Sequence, residues 1–188
     1  YQGGALPEGT ALLPGAGAGD QLFTDLNDDG EITTSDQQII GDPNPDFTFG
    51  FTNNFTYKNF DLNIFFQGSQ GGDIMNLTSL QLFSGDSNAT RDILNSWTPT
   101  NTDTSIPRAA VRQKTISSRF VEDGSYIRLR NIALGYNLPV DITEKLGMDN
   151  VRISISAQNL LTFTNYSGLD PEVNFLGSGG SGNQNTFN

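Results

Sequence analysis

The chain contains no cysteine and no histidine among its 188 residues. Without cysteine there is neither a disulfide framework nor a thiolate metal site. Without histidine the commonest general base is missing, and the thiol nucleophile has gone with cysteine. The lack of cysteine does not name a compartment, but it is compatible with export. Cations are scarce as well: 10 Lys and Arg stand against 21 Asp and Glu, a net charge of −11. A phosphate-binding surface needs clustered Lys and Arg, so a nucleic-acid partner is excluded. Long hydrophobic runs are also absent. Only 35% of residues are hydrophobic, and no apolar stretch reaches the roughly 18 residues a transmembrane helix needs.

What the chain has instead is alternation. Phe47, Phe49, Phe51, Phe55 and Tyr57 share one face of a period-two segment, with Thr48, Gly50, Thr52, Asn54 and Thr56 on the other. Phe60, Leu62, Ile64 and Phe66 repeat the pattern over 60–68, with Asp61, Asn63 and Gln67 opposite and Phe65 breaking it. A third segment runs from Tyr126 to Leu138 with Ile132, Leu134 and Tyr136 on its apolar face. Arg128 and Arg130 share that parity, so its upper part must leave the apolar environment or change face through a bulge. The fourth runs from Asn150 to Phe163. Val151, Ile153, Ile155, Ala157, Leu161 and Phe163 face one way; Arg152, Ser154, Ser156, Gln158 and Thr162 face the other. Each segment has about the length of a bilayer-spanning strand. Polar faces of Thr, Asn, Gly and Ser with little charge, backed by aromatics, predict an all-β fold: an antiparallel transmembrane β-barrel with lipid outside and water inside. An open edge in lipid would leave backbone groups unpaired, so the strands must close. Four strands cannot close a barrel of useful size, so further strands are expected elsewhere. A soluble sandwich with its apolar faces turned inward is the competing reading.

The connections divide by length. Lys58-Asn59 and Pro139–Asp149 are short, the latter with room for a helical turn over Val140–Leu146; residues 20–45, 69–124 and 164–188 are long. Outer-membrane barrels carry short periplasmic turns and long external loops, which makes the long segments external. Tyr57, Phe60 and Tyr136 then fall at the periplasmic aromatic level, with Phe163 and Tyr166 near the outside. Residues 1–19 read as a Gly/Ala/Pro-rich lead-in, 20–45 as an acidic loop, and 46–188 as barrel. A short helix is predicted near Ala89–Trp97, and Gly177–Gly182 reads as a flexible linker. No secretory signal stands at Tyr1, so an upstream segment is expected.

Three stretches, in order, carry a resemblance. The first is Asp25-Leu26-Asn27-Asp28-Asp29-Gly30-Glu31-Ile32 running into Ile40-Gly41-Asp42-Pro43-Asn44-Pro45-Asp46-Phe47. The second runs from Phe120-Val121-Glu122-Asp123-Gly124-Ser125-Tyr126-Ile127-Arg128 to Gly135-Tyr136. The third runs from Ser156-Ala157-Gln158-Asn159-Leu160-Leu161-Thr162 to Asp170-Pro171-Glu172. Together they resemble the C-terminal part of SusC/RagA-type TonB-dependent outer-membrane transporters. The resemblance implies a 22-stranded barrel closed by an N-terminal plug. It also implies location in the outer membrane of a Gram-negative bacterium, import of glycans or peptides, power from the TonB complex, and a SusD-like surface lipoprotein as partner. The plug, the TonB-interacting segment and the last strand of that pattern are not in these residues.

Candidate sites follow. Asp25, Asn27, Asp29, Glu31 (through its carbonyl) and Asp36 have the spacing of a calcium loop, with Gly30 allowing the sharp turn. Asp36 stands where an EF-hand has Glu, which is closer to a dockerin-type loop; the competing reading is a solvated acidic turn. Trp97 and Phe83 are aromatic candidates for substrate stacking, and Trp97 alternatively packs a loop helix. Asp61, Asn63, Gln67, Arg152 and Gln158 would line the wet face. The carboxylate pairs Asp170/Glu172 and Glu122/Asp123 sit among turn residues and read as structural, so the chain is read as a non-enzyme. Gly68-x-x-Gly71-Gly72 lacks the Lys-Ser/Thr of a phosphate loop. A calcium-stabilised extracellular β-domain binding a glycan or a partner protein is the alternative function.

Overall fold

The computed structural model describes residues 9–83, 88–110 and 115–172. The Gly177–Gly182 stretch and the rest of the tail lie outside the described residues. Among the described residues six strands and two α-helices occur in the order β1 (Phe47–Tyr57), β2 (Phe60–Gln70), β3 (Asp73–Met75), α1 (Leu77–Phe83), β4 (Val121–Asp123), β5 (Tyr126–Asn137), α2 (Val140–Thr143) and β6 (Arg152–Thr164). Short 3-10 turns stand at Thr34–Asp36, Arg91–Asn95, Ser118–Phe120 and Glu144–Leu146. The second of these lies inside the helix expected near Trp97, and α2 with the last fills the turn expected over 140–146. Helix α1 had no legible signal. Among the described residues no helix is long and apolar enough to cross a membrane.

The chain forms two compact units. The first is the sheet unit, residues 41–74 with 122–172, whose four long strands are ordered β1-β2-β5-β6, every pair antiparallel. Its register aligns the apolar positions in rows across the sheet: Tyr57, Phe60, Tyr136 and Ile153; Phe55, Leu62, Leu134 and Ile155; Phe51, Phe66, Leu129 and Leu161. A slip of one residue in any strand would turn its apolar set to the wrong face. Leu129 apart, which its neighbours bury, that face is open rather than packed: Phe51 is 58% exposed, Phe55 56% and Ile155 72%. Asn53, opposite Ile64, and Gln70, opposite Phe47 at the strand end, are polar positions on it.

The parity conflict of the third segment resolves by bulges. Phe65 pairs with Asn131 and Phe66 with Leu129, so Arg130 is an extra residue in β5. Across the next pair, Asn131 meets Gln158 and Leu129 meets Leu161, so Asn159 and Leu160 stand against the single Arg130. Asn159 takes φ +50°, a left-handed conformation that asparagine tolerates better than most residues. Above Arg130 the phase of β5 inverts. Leu129 and Ile127 join the apolar face, and Arg128 joins Gln67 and Thr162 on the polar one.

Glycines open space where a ring must cross the sheet. Phe49 lies over Gly68 on the apolar face, where a Cβ would stand 2.3 Å from the ring and 2.8 Å from the Tyr126 carbonyl oxygen. Phe65, the odd aromatic of the polar face, covers Gly50. All the long connections leave one end of the sheet. At the other end are the Lys58-Asn59 turn and the α2 connection, beside the Phe60 and Tyr136 rings at 4.4 Å between centroids.

The second unit comprises residues 9–40 and 75–121. Leu80 of α1 and Phe120 are its buried apolar residues. Asn76 caps α1, its side chain accepting the Ser79 amide at 2.8 Å, which satisfies a donor the helix start leaves open. Asp20 pairs through both carboxylate oxygens with Arg108, at 2.8 and 2.6 Å, and the Arg108 amide donates to the Gly19 carbonyl.

Candidate functional site on the polar face of the sheet

The polar face carries its side chains in three tiers, each on the rigid ladder of β1, β2, β5 and β6. At the short-turn end Arg152 of β6 grips Asp61 of β2 with both guanidinium nitrogens, at 2.5 and 2.7 Å. The pair crosses Gly135 of the intervening strand, where any Cβ would collide with the guanidinium. Both side chains stay partly exposed.

The middle tier is an amide ladder. Asn131 Nδ2 donates to Asn63 Oδ1 at 2.9 Å, and Asn63 Nδ2 donates to Asn54 Oδ1 at 2.6 Å. Three strands are thus linked side chain to side chain, with Gln158 beside Asn131 on β6 and Gln67 one tier up opposite Arg128. An uncharged row of this kind offers both donors and acceptors, which suits hydroxyl-rich or peptide ligands equally.

The third tier is charged and lies beneath the segment that follows β6. Arg128, its side chain 5% exposed, sends Nη1 to Glu172 and Nη2 to Asp170, each at 2.6 Å. Arg130 adds a bond to Glu172 at 2.9 Å and another to Asn159 Oδ1 at 3.1 Å. The Tyr126 hydroxyl donates to Glu172 at 2.7 Å. The segment after β6 therefore folds back onto the sheet, helped by Ser167, whose amide and hydroxyl donate to Glu122. The hydrogen bond from Arg128 holds the Asp170 carboxyl below its ordinary range. Arg128 Nε is buried without a partner. The sequence suggested Asp61, Asn63, Arg152, Gln67 and Gln158, and the structure brings all five to one face. It missed the Arg128 cluster, because parity raises a bulge only as one of two alternatives and cannot place it at Arg130. Asp170 and Glu172 serve here as anchors of a strap.

The remaining candidates lie in the other unit. The half-buried Phe83 ring meets Phe120 edge-on at 5.3 Å, with the Arg119 guanidinium 5.0 Å from its centre. Trp97 lies over Gly19, where a Cβ would stand 2.2 Å from the indole, and its Nε1 is buried without a partner. The acidic loop is ordered by its own amides. Asp25 accepts from the Asp29 and Gly30 amides, Asn27 from Asp29, and Asp29 from Glu31. Asp36 accepts from Thr33 at 2.7 Å and Leu26 at 2.8 Å, and these bonds hold its carboxyl below the usual range. Gly30 at φ +85° makes the turn. Among the described residues no three acidic groups converge on one point as metal ligands.

No protein-family model matches the chain. It is similar to TonB-dependent receptor P3 of Formosa agariphila, 58% identical over 176 residues, which is 93% of this chain and 18% of that protein. It is also similar to TonB-dependent receptor SusC of Bacteroides thetaiotaomicron, 30% identical over 160 residues, or 82% of this chain and 15% of that one. Among solved structures the RagAB peptide transporter matches with a TM-score of 0.59 and 29% identity over 68% of this chain and 14% of its own. The chain thus spans less than a fifth of the curated relatives it matches. These relatives bear the names of receptors and transporters, not of enzymes.

Proposed function

Because the chain belongs to the SusC/RagA-type TonB-dependent receptors, we propose that it forms part of the barrel wall of a TonB-driven importer in the outer membrane of a Gram-negative bacterium. The observation that carries this is the two-sided sheet: an open aromatic and aliphatic face on one side, and the Asn54–Asn63–Asn131 ladder with two charged tiers on the other. The first face meets lipid and the second lines the lumen. The cargo is a glycan or a peptide. The amide ladder supports a polar cargo of either kind, and Asp61, Asn63, Gln67, Arg152 and Gln158 are its lumenal contacts. A SusD-like lipoprotein caps the external side, and TonB engages a part of the receptor outside these residues.

The test is made in the source organism. An antibody to residues 88–110 should stain an outer-membrane band several times heavier than 20.4 kDa that shifts on boiling. Deleting the gene should abolish uptake of one nutrient class. A soluble band near 20 kDa without a heat shift would overturn the reading.

We further propose that the acidic loop takes calcium through Asp25, Asn27, Asp29, the Glu31 carbonyl and Asp36, stiffening an external connection. An oxygen-only donor set on a glycine turn supports it. Each carboxylate oxygen keeps a second lone pair, so Asp25, Asp29 and Asp36 can hold the ion while still accepting the loop's own amides. The expected affinity is that of extracellular modules, about 10⁻⁴–10⁻³ M. Calcium titration with proteolysis of residues 20–45 in the full receptor reads it out. Protection that EDTA does not reverse, or that survives Asp25→Asn with Asp29→Asn, contradicts it.

A further inference from the structure

The connection between β5 and β6 carries four apolar side chains in the open. Val140 is 63% exposed, Ile142 45%, Leu146 56% and Met148 52%. The segment is nonetheless well tied. Leu138 donates to the Val151 carbonyl at 2.9 Å, and the Gly147 and Met148 amides close onto Glu144 and Thr143. Thr143, 1% exposed, is its inner side, and its hydroxyl donates to the Val140 carbonyl. Ile142 and Leu146 are four residues apart and so are neighbours along one helical face.

Its position along the sheet is informative. The last pair of the two strands is Asn137 with Arg152; the pair next to it, Tyr136 with Ile153, belongs to the open apolar face, in the same row as Tyr57 and Phe60. That row is the aromatic level, which in barrels marks the lipid headgroup depth. At about 3.3 Å per residue, Val140 lies within about 13 Å of Tyr136. An ordered segment with exposed apolar residues, set just beyond the aromatic level of the wall, meets headgroups before it meets bulk water.

We propose that residues 138–151 are an interfacial anchor, with Val140, Ile142, Leu146 and Met148 immersed at the acyl boundary of the nearer leaflet. The occupant is phospholipid. The segment holds Asp141, Glu144 and Asp149 against Lys145. Its attraction is therefore apolar and does not need anionic lipid. This rests on the barrel reading above, and it adds a lipid contact made by a connection rather than by strands.

The test uses the full receptor in phosphatidylcholine vesicles, with single cysteines at Leu146, Met148, Lys145 and Ile155 carrying an environment-sensitive fluorophore. These 188 residues supply no competing thiol. Labels at 146 and 148 should be quenched at least about two-fold by lipids bearing a shallow nitroxide, less by a deep one, and unchanged when anionic lipid is added. The label at 145 should answer to aqueous iodide. The label at 155 should answer to the deep nitroxide, and if it does not, the barrel reading itself fails. With 155 quenched, labels at 146 and 148 open to iodide and blind to lipid would overturn the anchor alone. Blindness to both quenchers would overturn it in favour of a protein cover, such as another part of the receptor or a second copy.

Discussion

Arg128→Gln should release the strap that follows β6. The wild-type guanidinium bridges Glu172 and Asp170 with two bonds of 2.6 Å from a side chain only 5% exposed. Glutamine is shorter and offers one uncharged amide group in place of the charged fork. The loss is not the full cost of stranding a buried charge. Asp170 is 47% exposed and rehydrates, while Glu172 keeps Arg130 and the Tyr126 hydroxyl. A hydrogen bond to a charged group contributes about 1.5–3 kcal/mol. Discounted for that exposure, the substitution costs about 2 kcal/mol, or about thirty-fold in the docking equilibrium. Residue-resolved hydrogen exchange on the full receptor reads this directly. The Glu172 amide, which donates to Asp170 at 2.8 Å, should exchange about thirty-fold faster. The Ser167 amide, held separately by Glu122, should change far less. Arg128→Lys keeps the charge without the fork and should fall between the two. An unchanged Glu172 amide in Arg128→Gln would refute the latch.

Other outcomes follow from the same contacts. Because Arg128 depresses the Asp170 pKa, that pair stabilises the strap above the ordinary carboxylate range and loses its contribution only as pH falls below about 4. Exchange at Glu172 should therefore be flat across neutral and mildly acidic pH once intrinsic exchange is corrected, and should rise only in stronger acid. Gly68→Ala would place a methyl against Phe49 and the Tyr126 carbonyl, costing about 1–3 kcal/mol. The temperature at which the barrel loses its heat-modifiable gel mobility should drop. Asp61→Asn cuts a half-exposed pair and should leave that temperature nearly unchanged, while altering how charged cargo passes.

The strands were legible because their side-chain period is two and their apolar residues are aromatic. Phe47–Tyr57 shows its face without help from any neighbour. The β5 segment was harder, since Arg128 and Arg130 contradict the parity of Ile132 and Leu134. The sequence posed the conflict, but only pairing with β2 and β6 located the extra residue at Arg130. The polar-face residues followed from alternation, whereas the ion-pair cluster did not. Asp170 and Glu172 meet Arg128 from more than forty positions away, and no local pattern encodes that return. Phe83 looked like a stacking platform because aromatic residues in loops are ambiguous. In the structure its ring, half-buried, rests edge-on against Phe120. Helix α1 is seven residues long, too short to show a clear period; its cap is the neighbouring Asn76 side chain, while its burial comes from tertiary contacts.

The most direct test of the central claim is a cysteine scan along β1 and β5 in the full receptor embedded in membrane, using paired lipid-soluble and water-soluble thiol reagents. The two-sided wall predicts strict alternation on β1, with Phe49, Phe51 and Phe55 open to the lipid-soluble reagent and Thr48, Thr52 and Asn54 to the aqueous one. On β5 it predicts a phase inversion at Arg130: Ile132, Leu134 and Ile127 on the lipid side, Ala133 and Tyr126 on the aqueous side. Equal access to both reagents along either strand, or a phase that runs through Arg130 without inverting, would contradict the account.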